Sequence, residues 1–465
     1  MTLLNHTFSL GRRYDAQGNL LPRSSRVPLG EGSPTPDPGE TVMMSSVEQY
    51  GITWTFSEAR PVGQYCNGDY FVVGPVTIIN INPAPSSGRN GTIVSVTAEY
   101  ELPQAWDDRT RNYDGDGRNA GLNLPIEIPG RGTVISSKSL VASESYPGYG
   151  VISVGPTSVT TGIETFAILT VVTTIPAAGS FRPGWAGLGP IGDNWTEGNI
   201  DYSKLPSLVP ASSPIPINDF AEFWRRWTPE IRSNWDGSDI FAKHHPNTYG
   251  DYFGTTGPAT LLLCCNYTNA EKRDLLVRMI QVGIDVYVRL KNGGYISQDG
   301  AHKMGRKLPV MLAGYLLGDQ DILTFAAENS NVYQNGRFQE DKAHFHVLSG
   351  HLVNGYPQAG IPEWASSWGS GEPRSGWSIT YRNQNYHPSG ATALAAQLIG
   401  IKEIWNCPAF FDYHDRCRNG VSEAWSGKPS RQGFEYSRNG TMNGWVTRMW
   451  ETYRDNTIIG DWNYG

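Results

Sequence analysis

Long apolar runs, paired cysteines and excess positive charge are all missing from this chain, and each absence removes a class of protein. No stretch of about 18 apolar residues occurs, so no transmembrane helix is expected. The five cysteines, Cys66, Cys264, Cys265, Cys407 and Cys417, are odd in number and set no disulfide framework. The adjacent Cys264 and Cys265 close the apolar run LLLCC and read as buried thiols. Lys and Arg number 37 against 44 Asp and Glu, a net charge of −7. That balance argues against nucleic acid as a partner, since phosphate binding needs a basic surface. An acidic polysaccharide stays open, because a basic cleft can sit within an acidic exterior. Residues 1–13 lack the basic start, apolar block and cleavage site of a secretory signal. The expectation is synthesis in a reducing cytoplasm, with a virion or the extracellular space after lysis as the place of action.

Histidine is scarce as well, nine residues in all, yet eight of them lie beyond residue 240. Most tryptophans share that half. Histidine moves protons or binds metal near neutral pH, and tryptophan and tyrosine offer flat faces with a polar handle, suited to sugar rings. The chemistry is therefore expected in the C-terminal half and a scaffold in the other.

Four parts are legible along the chain. Residues 1–46 contain GEGSPTPDPGE and little periodicity, as in an extended arm that docks on its own domain or tethers the chain to a larger particle. Residues 47–202 carry β-branched runs at 51–56, 70–81, 92–101, 134–143 and 165–175, separated by Gly, Pro, Asn and Asp. They predict an antiparallel β-sandwich. The loop NYDGDGRNAG offers Asp114 and Asp116 to calcium but lacks the distal Glu of an EF-hand, so an ordinary turn competes. The Pro/Ser-rich segment 203–218 reads as a hinge. Residues 219–465 predict helices at 219–235, 271–291, 303–317, 319–328, 389–405, 408–417 and 443–454, the second opened by the capping box Thr268-x-x-Glu271. Helix pairs joined by long loops suggest an α/α toroid, or incomplete barrel, with a cleft at one end.

The segments WTFSEARPVGQYCNGDYFVVGPVTI (54–78), QDGAHKMGRKLPVMLAGYLLGD (298–319) and WNCPAFFDYHDR (405–416) resemble pieces of a broad group of largely uncharacterised bacterial proteins. Those are similar in outline to polysaccharide lyases that join an α/α toroid to a β-sandwich. The resemblance implies that architecture and cleavage of a polysaccharide. The NNHxxW-like pattern of some toroidal alginate lyases is absent, so no role carries over to an Asn-His pair.

Opening a uronate polymer by β-elimination needs a group that neutralises the carboxylate, a base for the C5 proton and an acid for the departing O4. His302 beside Arg306 and Lys307 supplies a base and two cations. A helix beginning near Ala301 would put His302 and Arg306 on one face, close to a helix N-terminus. The bland alternative is a packed helix start with solvated cations. The run Tyr381-Arg382-Asn383-Gln384-Asn385-Tyr386-His387, closed by Pro388, reads as a loop. There Arg382 can clamp a carboxylate, Tyr386 or Tyr381 can serve as the acid, and His387 lines the site. Ordinary loop hydrogen bonding competes. Trp364, Trp368 and Trp377 read as sugar platforms or as core. His344 and His346, with His351, have the spacing of a zinc site without supporting thiols. For a glycoside hydrolase, which needs two carboxylates, the candidates are Asp299, Glu363, Glu372, Asp412 and Asp415. Asp412 and Asp415 equally suit a packed helix with ion-paired carboxylates. A carbohydrate-binding tail protein of a phage is the non-enzymatic alternative, and a phage-borne depolymerase reconciles the two.

Overall fold

β-Branched runs in the first half and apolar residues at helical spacing in the second produce a mixed α/β protein. A strand-rich N-terminal region curls into a half-barrel, and helices follow it. The computed structural model describes residues 39–97, 104–110, 113–140, 162–185, 195–211, 214, 216–218, 220–221, 251–294, 296, 304–330, 336–346, 352–353, 356–357, 360, 362–364, 379–419 and 444–454.

Eight strands form one sheet: β1 (Val42–Gln49), β2 (Ile52–Gln64), β3 (Tyr70–Val73), β4 (Val76–Asn82), β5 (Thr92–Ser95), β6 (Ile126–Ile128), β7 (Gly132–Ser139) and β8 (Ile163–Val172). Their order is β5-β7-β8-β3-β2-β4-β6, with β1 added on β2. All five predicted β runs are present, and 70–81 is divided at Gly74-Pro75 into β3 and β4. The pairing departs from a purely antiparallel pattern, because β3 and β8 run parallel. The predicted arm is also shorter than 46 residues, since β1 begins at Val42. Residues 1–38 lie outside the described set.

The curl follows from burial on both faces of the central strands. In β8, Ala167, Leu169 and Val171 point into one core with Trp54, Val62 and Val72, while Phe166 and Ile168 point into another with Trp106 and Phe181. Trp54 on β2 donates its indole N–H to Ser136 Oγ on β7 at 2.9 Å, although β3 and β8 separate those strands in the sheet. A flat sheet cannot make that contact. Folding the sheet over Trp54 lets one layer bury the inner face.

The helices are α1 (Asp251–Leu263), α2 (Asn269–Lys291), α3 (Lys307–Leu317), α4 (Gln320–Ala327), α5 (Gln339–Ala343), α6 (Ile379–Ile399), α7 (Lys402–Trp405), α8 (Pro408–Asn419) and α9 (Trp445–Tyr453). Short strands β9 (His344–His346) and β12 (Pro362–Trp364) pair with each other, as do β10 (Leu352–Val353) and β11 (Tyr356–Pro357). The capping box at the start of α2 is formed as expected, with Thr268 Oγ1 accepting from the Glu271 amide. On its stripe, Leu275, Met279 and Val282 are buried and Val286 is half-buried. Gly283 permits α2 to touch α3, for a Cβ there would stand 2.1 Å from the Pro309 carbonyl oxygen. Cys264 and Cys265 are buried, and burial raises both thiol pKa values, so they pack rather than react. Most of the predicted helix 219–235 lies outside the described residues.

The predicted hinge is not a free linker. Leu208 bridges Cys265, the Lys204 ammonium donates to the Tyr315 carbonyl, and the Tyr453 hydroxyl donates to the Val209 carbonyl. Docking against helices satisfies backbone groups that a flexible hinge would leave to water. Sheet and helices accordingly share one continuous core, which runs from Ile135 and Phe166 through Trp185 to α2.

Arg182 joins the two halves. Its guanidinium donates to Asp69 Oδ2 at 2.6 Å, beside β3, and bidentately to Asp285 on α2 at 3.1 and 2.7 Å. Gln281 holds the Arg182 backbone from both sides, accepting from its N–H and donating to its carbonyl. The side chains of Arg182 and Asp285 are each 2 % exposed, so removal of the cation strands two carboxylates away from water. Arg182→Met should destabilise the protein by about 3–5 kcal/mol in urea unfolding. Arg182→Lys should recover only part of this, because an ammonium cannot reproduce the planar fork. Full stability in the Met variant would show that the network is dispensable.

Candidate active site

The helical half contains a polar interior built around the start of α3. Met304 and Gly305 form a turn, with Gly305 at φ 93°, and the helix starts only at Lys307. The helix expected to begin near Ala301 therefore starts after Arg306 rather than before it. His302 itself lies outside the described residues. Arg306 is buried rather than solvated and donates to the Met304 carbonyl at 3.0 Å. Lys307 is buried completely. Its ammonium donates to Ser330 Oγ at 2.8 Å, to Asp341 Oδ2 at 2.7 Å and to the Trp405 carbonyl at 2.7 Å, which uses all three donors. The Trp405 indole N–H donates to the other Asp341 oxygen, so this ion pair is hydrogen-bonded throughout.

Glu340, next to Asp341 on α5, caps α3. Its Oε1 accepts from the amides of Gly305 at 3.1 Å and Lys307 at 2.8 Å, and its Oε2 is buried without a partner. Burial first, then the Asp341 charge, push its pKa from 4.5 up to about 7, against the backbone amides of Lys307 and Glu340 itself and the Arg306 cation. The carboxyl thus keeps its proton close to neutrality.

α5 leads directly into β9, and the two histidines of this strand face α8. Strand alternation puts His344 and His346 on one side and Phe345 on the other, as the H-x-H spacing predicts. α8 begins at Pro408, a residue suited to a first helical position. It presents Phe410, Tyr413 and His414 to the His344 ring, at centroid distances of 5.0, 5.3 and 5.8 Å. His344 Nδ1 donates to the Glu340 carbonyl at 2.5 Å, leaving a buried Nε2 without a partner. His346 Nε2 lies 2.9 Å from Asp412 Oδ2, and these side chains are 38 % and 28 % exposed. This is the one imidazole–carboxylate pair among the described residues, and solvent reaches it. A carboxylate only accepts, so the Nε2 hydrogen points to Asp412 and Nδ1 is the basic nitrogen of the neutral ring.

One layer deeper, His414 Nδ1 donates to the Phe410 carbonyl at 2.6 Å. Its Nε2 therefore accepts from the Ser389 hydroxyl on α6 at 2.5 Å. Burial lowers the pKa of both inner imidazoles, to about 3 for His344, where the neighbouring His414 adds to the effect, and to about 4 for His414. Both rings are neutral at pH 7. Ser389 and His414 thus tie α6 to α8 immediately behind the exposed pair.

The other candidates are distributed differently from the expectation. The run from Tyr381 to His387 is helical rather than a loop, because α6 starts at Ile379 and continues through Pro388. Side chains before Ser389 on α6 are outside the described set. Trp364 is 1 % exposed and pairs with His344 across β12 and β9, so it belongs to the core and not to a sugar platform. Trp368, Trp377, His351, Asp299 and Glu372 lie outside the described residues. Asp415 pairs with Arg454, whereas Asp412 pairs with His346, so these carboxylates do not flank one bond. No three metal-ligating side chains converge among the described residues. In the suspected calcium loop, Asp114 Oδ2 accepts from the Gln104 amide and Asp116 Oδ1 from the Gly88 amide, as in an ordinary turn. Glu340, Asp341, Ser389 and His414 were not singled out by the sequence. The run Gln339-Glu340-Asp341 ahead of His344-x-His346 was the available signal.

No protein-family model, no curated protein and no solved structure matches this chain. Its function is therefore argued from the site. Among the described residues no helix is long and apolar enough to cross a membrane.

The Glu340 carboxyl gives a pH-dependent expectation. Its folded pKa exceeds the unfolded value, so its contribution to stability is present below pH 4.5 and is lost as pH rises to about 7. Glu340→Gln keeps an acceptor for the two amides and removes this loss. Its gain over the wild type should grow through that window to about 3 kcal/mol and then level off. Urea midpoints with the same pH dependence in both proteins would contradict the assignment.

Proposed function

We propose that this protein degrades an acidic, uronate-containing polysaccharide by β-elimination, at the junction of α6, α8 and β9. The finer architecture in this reading is a β-sandwich joined to an α/α toroid, as the resemblance to polysaccharide lyases implies. The observation that carries the proposal is the solvent-reachable His346–Asp412 pair.

In this reading His346 Nδ1 takes the C5 proton while Asp412 holds the ring and stabilises the imidazolium that forms. Arg382 neutralises the uronate carboxylate, which acidifies C5 and stabilises the enolate-like charge. The C5–H electron pair becomes the C4=C5 double bond, the C4–O4 bond breaks, and Tyr386 gives O4 a proton. Arg306 and Glu340 serve from beneath by fixing the polar interior on which β9 rests. His302 remains the rival base. A hydrolase reading would use two of the carboxylates Asp299, Glu363, Glu372, Asp412 and Asp415. Carriage on a phage particle through the N-terminal arm completes the proposal.

Incubation with a broad panel of uronate polymers should raise the ultraviolet absorbance of the C4=C5 bond with at least one of them. New reducing ends without that absorbance would favour hydrolysis, and binding without either would favour a structural tail protein. On the responsive polymer, His346→Ala and Arg382→Ala should each lower turnover by about a hundredfold or more with the fold retained. Full activity in His346→Ala with its loss in His302→Ala would hand the base role to His302.

The arm is tested separately. Removal of residues 1–38 spares β1 and should leave activity and thermal melting of the isolated chain unchanged while abolishing incorporation into the particle. A lower melting temperature in the truncated chain would make the arm part of the fold.

A further inference from the structure

The interior behind the exposed pair contains two histidines that the proposed reaction does not use. His344 and His414 are each buried, with ring centroids 5.8 Å apart, and each Nδ1–H is committed to the carbonyl four residues before it. Together they connect four elements. His344 ends α5 and begins β9, and His414 lies on α8 and receives the Ser389 hydroxyl from α6.

We propose that the His344–His414 pair is an acid-operated latch, closed when both imidazoles are neutral, whose double protonation releases α8 from β9 and α6 while the β-sheet stays folded. This inference is independent of the proposed reaction.

Among the described residues, the charged groups around the two rings are engaged elsewhere. From α5, Asp341 is taken by Lys307, and Glu340 has its Oε1 on the amides of Gly305 and Lys307. Acid also leaves the Glu340 carboxyl uncharged, because burial holds its pKa near 7. From α8, Asp412 is engaged by His346 of β9, Asp415 by Arg454, and Arg416 donates to the Pro362 carbonyl of β12. Among the described residues, the start of α3 adds the cations Arg306 and Lys307. Two imidazolium ions would thus stand about 6 Å apart in a low-dielectric interior, where like charges repel strongly. Opening lets both titrate as free histidines. Between the ordinary histidine pKa of 6.5 and the lowered values in the closed state, each pH unit favours opening by up to about tenfold per ring. The sheet's inner core around Trp54 contains no histidine and lacks this sensitivity.

Hydrogen exchange of the full chain at pH 7 and pH 5, corrected for intrinsic rates, tests the latch. Peptides covering 344–346, 389–399 and 408–419 should lose protection at least tenfold at pH 5, while those covering 132–139 and 163–172 keep theirs. The variant His344→Asn/His414→Gln, checked for folding at pH 7 by circular dichroism, should exchange alike at both pH values. If it does not fold, the wild-type histidine ring resonances decide. An open form growing in slow exchange as pH falls, with the closed rings still neutral, supports the latch. Two rings that titrate near 6.5 without loss of protection overturn it, and so does simultaneous loss of protection in the sheet.

Discussion

The guanidinium of Arg182 is the contact on which the arrangement of the two halves depends. It is one cation shared by a carboxylate next to β3 and a carboxylate on α2, all screened from water. Such a group contributes less through its Coulomb energy than through the cost of any arrangement that leaves it incomplete. Sliding α2 along the sheet would break bidentate geometry at Asp285 and strip Gln281 from the Arg182 backbone together. The continuous apolar core supplies most of the favourable burial, but burial is non-directional, and it is this polar fork that selects one register.

Lys307 and Asp341 repeat the strategy inside the helical half. There the buried ion pair is completed by Ser330, Trp405 and, next to it, Glu340 on the amides that open α3. The consequence is that α5 is held firmly at its start. β9, which grows from its end, can then present His346 at the surface and His344 to the interior within three residues. A rigid polar base beneath a reachable imidazole is the arrangement that proton transfer requires. The same base explains why Arg306 and Lys307, attractive as substrate-binding cations in the sequence, are consumed by structure.

Much of the strand-rich half was legible because β-branched runs with Gly and Pro punctuation are a local property. Five runs were identified, and α2 was legible down to its capping box. The errors have local causes as well. The run Tyr381 to His387 is polar and ends in Pro388, features of a loop, but its residues continue a helix whose later turns are clamped by Ala391 against Gly257 of α1. Tertiary packing overrode propensity there. Trp364 sits among residues that read as a polar loop, and the pairing of β12 with β9 carries it into the shared core. Arg306 looked like a residue one turn inside a helix because sequence spacing does not reveal that Gly305 turns the chain before the helix begins at Lys307.

By itself the sequence determined the kinds of element and the half in which titratable and aromatic groups concentrate, since both follow from local pattern and composition. It also set the net charge of −7 and the absence of a long apolar run. The tertiary structure alone decided which imidazole meets which carboxylate. His346 and Asp412 are 66 residues apart, and Ser389 and His414 are 25 apart. Hydrogen bonds of that range depend on how the elements pack, and packing is set by the shape of a shared core rather than by any segment's own residues.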